Sequence, residues 1–187
     1  MSSRFRPVVT PIADLLVLER SRHADERGFL SRLFDRRDLA GLGWDGPVEQ
    51  INETATVSAG TVRGMHFQRP PYGECKLVTC IAGAILDVAV DLRRGSPTFL
   101  QHFAVELSAD NARSLLIPKG FAHGFQALTD DVRMIYAHSA PFAAEAEAGL
   151  HCQDPALSIA WPLPVKNLSA RDQAHPVLSS DYSGVAA

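Results

Sequence analysis

KLVTCIAGAILDVAVDLRRGSPTF, residues 76–99, decides how the rest of the chain is read. Within it Leu86, Val88, Val90 and Leu92 share one face of an extended run while Asp87 and Asp91 fall on the other, a period of two that suits a strand and not a helix. Gly83 marks a turn, and the two runs it joins are expected to pair with each other. Comparable short runs lie on either side: TVRGMHFQ (61–68), FLQHFAVELS (99–108), SLLIPKG (114–120), HGFQALT (123–129) and DVRMIYAHS (131–139), divided by Gly, Pro, Asp and Ser. DRRDLAGLG (35–43) is the one clear helical candidate. The spacing leaves no room for crossover helices, which argues against a parallel α/β sheet. The expected fold is all-β, a double-stranded β-helix or jelly roll with a few short helices.

The chain of 187 residues is expected to form one domain spanning 1–187, burying roughly two thirds of its unfolded surface. A formal charge of -3 argues against diffuse attraction to nucleic acid or to an anionic membrane, so an anionic ligand would need a local group of arginines. No run is long and apolar enough to cross a bilayer, and MSSRFRPVV lacks the apolar centre of a signal peptide, so a cytoplasmic location is expected. Cys75, Cys80 and Cys152 fit neither zinc spacing nor a secreted disulfide framework and read as packing residues. Residues 1–25 and 162–187 are less periodic, and such ends pack on a partner subunit or over a pocket mouth.

In TVRGMHFQ a regular strand would turn Arg63 and His66 to opposite faces; they share a pocket only if the chain bends, which Gly64 permits. Pro118 and Gly120 shape a loop that delivers His123 to the start of a strand. Taken singly, each of these residues has a plainer reading: His66 and His123 as structural imidazoles, Lys76 as a solvated edge charge, Tyr136 as core, and DERGFLSR (25–32) and NLSARD (167–172) as charged loops. A metal-binding cupin jelly roll carries His-x-His with a nearby Glu and a later His. Here His66 is followed by Phe67 and Gln68, so the second ligand is missing and no metal or other cofactor is expected.

The ordered set DERGFL, VRGMHFQ, KLVTCIAG, DVAVDLRRGSPTF, LSADN, IPKGFAHGF, DPALSIAWP and LSARD resembles the dTDP-4-dehydrorhamnose 3,5-epimerase family over residues 25–176. The resemblance implies a homodimeric, metal-independent, cupin-type epimerase of nucleotide-diphospho-4-keto-6-deoxyhexoses. Residues 1–25 would then form an arm at the dimer interface and 162–187 a segment closing over the site. It implies His66 as the base, Asp172 as the carboxylate behind it, Tyr136 as the acid and Lys76 beside the keto oxygen. His123, Gln50, Asn52, Glu147 and Arg171 are implied as substrate contacts, Arg27 and Arg63 as diphosphate ligands, and Phe142 as the ring that stacks on the base.

Such a set suits the chemistry. A hydrogen α to a ketone is weakly acidic and needs a base on one face, stabilisation of the enolate oxygen, and an acid on the other face for inversion. Members acting on the thymidine-linked sugar usually carry glutamate where Arg32 stands, aspartate and histidine where Ile51 and Glu53 stand, and tyrosine at Phe142. The charge reversal at Arg32 bears on the carrier or the sugar. Three other readings remain open: inversion of C3 or C5 alone on a different nucleotide sugar, a non-catalytic sugar-nucleotide-binding cupin, and a metal-dependent cupin enzyme.

Overall fold

A computed structural model describes residues 4–186; residues 1–3 of the expected arm, and residue 187, lie outside the described residues. One sheet of six strands runs in the order β1 (Phe5–Val9), β2 (Leu16–Arg20), β10 (Arg113–Ile117), β7 (Lys76–Ala82), β12 (Val132–His138) and β5 (Gln50–Thr56). A second sheet of five runs β13 (Glu147–Gly149), β6 (Val62–Gln68), β11 (Phe121–Ala127), β8 (Ala84–Asp91) and β9 (His102–Ser108). β3 (Arg22–Asp25) and β4 (Gly28–Ser31) form a separate hairpin, and the helices are α1 (Arg36–Ala40) and α2 (Ala170–Gln173). Every strand pairing is antiparallel. The fold is the expected all-β jelly roll with two small helices.

One expectation fails. Gly83 turns the chain at φ +71, but β7 and β8 do not pair; they lie in opposite sheets. Val78 and Cys80 of β7 and Ile85 and Ala89 of β8 all enter the same buried cluster between the sheets, so the turn crosses the sandwich and does not close a hairpin. The two-residue period of β8 holds, and both of its faces are buried. Val88, Val90 and Leu92 are covered from outside by Leu150, Cys152, Leu157 and Val185, while Asp87 and Asp91 are fully buried.

Residues 5–20 form two strands of the six-stranded sheet, with β1 along its edge. Asp35 caps α1 by accepting from the N–H groups of Arg37 and Asp38, and buried Leu39 packs that helix with Phe5, Trp44 and Leu77 over the outer face of the six-stranded sheet. The stretch after Trp161 crosses the outer face of the other sheet, where Val165, Leu168, Leu178 and Tyr182 join the covering layer. Its backbone is tied down by isolated bridges just outside the strands, Thr61 to Lys166 and Arg93 to Val185, and by the Gln126 side chain of β11, which donates to the Leu163 carbonyl and accepts from the Leu163 N–H.

Candidate active site

Between the sheets opens a cavity of about 810 Å³, within the range of small-molecule sites. Its walls come from both layers. β6, β11 and β13 supply Arg63, His66, His123 and Glu147, while β5, β7 and β12 supply Gln50, Asn52, Lys76 and Tyr136. Phe142, Arg171 and Asp172 reach it from loops and from α2.

The bend anticipated at Gly64 is present. Gly64 has φ +128, and the register against β11 slips between the His66–His123 and Arg63–Phe125 pairs, so β6 holds one residue more than its partner. The bulge turns both Arg63 and His66 to the cavity. A side chain cannot be accommodated there, since a Cβ on Gly64 would lie 2.5 Å from the Gly124 Cα. Arg63 is steadied by donating from Nε to Thr56 Oγ1 (3.2 Å) and from Nη2 to the Ala55 carbonyl (3.1 Å).

His66 Nε2 lies 2.7 Å from Asp172 Oδ1. An ionised carboxylate only accepts, so the proton sits on Nε2 and Nδ1 is the basic nitrogen. Arg171 Nη2, 3.2 Å from the same Nε2, is then a charge neighbour and not a donor to it; its Nη1 donates to Glu147 Oε1 at 2.6 Å. Burial pushes the His66 pKa below the usual imidazole value against the opposing pull of Asp172, and Arg171 and Lys76 add to the lowering. Burial works against ionisation of Asp172, but its hydrogen bonds with His66, the Gly64 N–H and Ser169 hold it below the ordinary carboxylate range. Ser169 caps α2 by accepting from the Asp172 N–H, which fixes where that carboxylate points.

Across the cavity, the Tyr136 ring stands edge-on to His123 (centroids 5.9 Å apart, 70°) and stacks on His138 (6.1 Å, 23°). Its hydroxyl donates to Met134 Sδ at 3.5 Å, and burial raises the phenol pKa, keeping it protonated. Lys76 Nζ lies 3.1 Å from Glu74 Oε1, and Glu74 Oε2 accepts from His138 Nδ1 at 2.8 Å. His123 Nε2 is 2.7 Å from Asp87 Oδ1, whose pKa burial raises. Gln50 Oε1 accepts from the Phe142 N–H (2.9 Å) and leaves that ring 58% exposed at the cavity edge.

The nominated residues thus line one cavity, with the exception of Arg27. That residue sits on the exposed turn of the β3–β4 hairpin, bonded to Asp25, and does not reach the cavity of its own chain. Arg32 is likewise held elsewhere, donating to Asp35 at 2.7 Å. Glu74, His138 and Asp87 were not singled out from the sequence. His66, Asp172 and His175 also bring three ligand-type atoms within 4.8 Å of one another, a donor set the His-x-His test did not foresee. The Arg171 guanidinium beside His66 opposes a cation there.

The model of the family described as dTDP-4-dehydrorhamnose 3,5-epimerase matches residues 9–180. A dTDP-4-dehydrorhamnose 3,5-epimerase of Sinorhizobium fredii (strain NBRC 101917 / NGR234) is 41% identical over 172 residues, 89% of this chain and 86% of the relative. The crystal structure of dTDP-4-dehydrorhamnose 3,5-epimerase from Bacillus anthracis str. Ames, with TDP and PPi bound, superposes with a TM-score of 0.90 at 39% identity, covering 93% of this chain and 99% of that one. A dTDP-6-deoxy-D-glucose-3,5-epimerase from Legionella pneumophila Philadelphia 1, in complex with dTDP-4-keto-L-rhamnose, gives 0.87 at 39% identity with 92% of each chain covered. A jelly roll with a His–Asp pair facing a tyrosine across a sugar-sized hollow, matched in sequence over nearly its whole length, belongs to the dTDP-4-dehydrorhamnose 3,5-epimerase family.

Proposed function

We propose that this chain epimerises a nucleotide-diphospho-4-keto-6-deoxyhexose, converting dTDP-4-dehydro-6-deoxyglucose to dTDP-4-dehydrorhamnose. His66 and Tyr136 belong to opposite sheets and line one cavity, and this observation carries the reading, because inversion needs proton removal on one face and return on the other. His66 Nδ1 takes the hydrogen at C3 or C5, and the bond's electron pair passes into an enolate. The Lys76 ammonium favours the enolate oxygen, and Asp172 supports the imidazolium that has formed. The Tyr136 hydroxyl then returns a proton to the carbon from the far side. Buried and protonated, this phenol suits a donor better than a base.

Arg63 takes one side of the diphosphate, Gln50, Asn52, His123, Glu147 and Arg171 make the remaining polar contacts, and Phe142 offers its exposed ring to the nucleobase. The chain works as a homodimer, in which Arg27 on its projecting hairpin, beside exposed Phe29 and Leu30, serves the partner's cavity. Three free, buried cysteines support a cytoplasmic setting.

The test is incubation in heavy water with thymidine-, cytidine- and guanosine-linked 4-keto-6-deoxyhexoses, read by mass and proton NMR. Deuterium at both C3 and C5 of the thymidine sugar is expected; label at one position alone would establish a single-centre epimerase. No uptake from any of these sugars would overturn the proposal. His66→Ala should abolish exchange, whereas Tyr136→Phe should leave some exchange and block completion of inversion.

A further inference from the structure

A second histidine–carboxylate pair lies in the same cavity, away from His66. Glu74 stands two residues before Lys76, so both project from the same side of the chain, and His138 is the residue directly opposite Lys76 in the β12–β7 ladder. The three side chains are 9 to 11% exposed, and the Glu74 carboxylate is divided between them. Oε1 takes Lys76 Nζ at 3.1 Å and Oε2 takes His138 Nδ1 at 2.8 Å. On its far side His138 Nε2 faces Asn52 Nδ2 at 3.5 Å, a nitrogen that can only donate, while the Glu74 carboxylate at Nδ1 can only accept; the imidazole proton therefore belongs on Nδ1. Tyr136 stacks beside His138 with ring centroids 6.1 Å apart, which places the imidazole next to the phenol of the cavity wall.

Asp87, fully buried behind His123, has its pKa raised by burial and is a poor substitute, so Glu74 is the countercharge that lies against Lys76. A buried ammonium released from Glu74 would lose its compensating charge and be driven from its position toward water, since an uncompensated buried charge is costly. We propose that Glu74 and His138 are positioning residues, forming a brace that holds the Lys76 ammonium at the cavity wall, where it meets the developing enolate oxygen. Burial by itself would discourage ionisation of Glu74, but the His138 hydrogen bond and the Lys76 charge keep it an anion, as the brace requires.

The proposal rests on the epimerase reading, and its test separates the two. In Glu74→Gln the side chain keeps its shape and loses its charge. Its kcat for epimerisation should fall between about 10- and 100-fold, as for other supporting partners of a catalytic group, with KM within about threefold of wild type. His138→Asn, whose amide can replace the Nδ1–H donor, should hold kcat within about threefold, whereas His138→Leu should lose about tenfold or more. Nitrogen-15 NMR of the wild type should show His138 with its proton on Nδ1, a tautomer a merely packed ring would not need. Wild-type kcat in Glu74→Gln, or a His138 protonated on Nε2, would overturn the brace and leave the epimerase reading intact. Should Glu74→Gln fail to fold, the two His138 variants decide, and equal rates for Asn and Leu would overturn it. Failure of the wild type to label any of the sugars overturns the epimerase reading itself.

Discussion

As the proposed base, His66 depends on what surrounds it, since an imidazole in water would be half protonated near 6.5 and poorly aimed. Burial lowers its pKa while Asp172 acts the other way, and this opposition fixes the sign of a pH experiment. The base must be neutral to accept a proton, so the acid limb of kcat/KM reports the free enzyme's His66 and should lie below 6.5. In Asp172→Asn the raising influence is gone. The limb should move to still lower pH while kcat falls by about 10²- to 10⁴-fold, and stopped assays between pH 4 and 8 would show both. A limb that moves to higher pH would mean that Asp172 does not support the imidazolium. At this scale the sequence is legible where residues stand in long ordered motifs. His66 and Asp172 are 106 positions apart and still findable. Glu74 is a single polar residue just before β7 and His138 the last residue of β12, and only the register that sets His138 opposite Lys76 reveals that they meet. Arg27 is legible as a motif residue, but it bonds Asp25 on an exposed hairpin turn and does not line its own chain's cavity.

At the scale of elements the decisive piece is the bulge in β6. Gly64 occupies φ +128, where a side chain is strained, and a Cβ would also lie 2.9 Å from the His123 carbonyl oxygen. Gly64→Ala should cost more in urea unfolding than the roughly 1–3 kcal/mol of its strained φ alone, since the β11 backbone must also shift, and it should lower activity further than stability because Arg63 and His66 lose their common direction. Gly73→Ala is the matched control, since its Cβ would meet nothing nearer than Lys119 Cβ at 3.9 Å; it should stay within about 0.5 kcal/mol of wild type. A Gly64→Ala protein as stable and active as the control would refute the geometric argument. Strand existence was legible wherever alternation was strong, as in β8. Which strands pair was not, because Gly83 is compatible with both a hairpin and a crossing between sheets. The choice is made by Val78, Cys80, Ile85 and Ala89 sharing one interior, a non-local fact. Residues 5–20 were hard to read for a related reason: β1 lies on a sheet edge with mostly exposed residues, and its partner strand joins it to distant β10.

The whole molecule is built in layers: a core between the sheets, an outer cover on the six-stranded sheet around α1 and Trp44, and an outer cover on the five-stranded sheet made by the run after β13. The layered β plan was legible from turn spacing. That residues 162–187 serve the site was legible only through the resemblance, because nothing periodic marks a segment that, over 162–186, takes its order from the surface it lies on. That segment has no ladder of its own beyond two isolated bridges, so its opening should need less free energy than opening the sheets. The two tryptophans report on different covers. Trp44 is 4% exposed under α1, and Trp161 is fastened by its Nε1–H to the Cys152 carbonyl at 2.9 Å. In a urea series, enzyme activity and the fluorescence of a Trp44→Phe variant should fall together, ahead of the fluorescence of a Trp161→Phe variant; coincident curves would show one cooperative unit. Since the carboxylate behind the base is carried by this latch, the enzyme would fall silent while still registering as native to most probes. Its working ceiling would then be set by a strap of unladdered chain and not by the melting of the sandwich, and stapling that strap to the sheet beneath would raise the ceiling without touching a single group that meets the sugar.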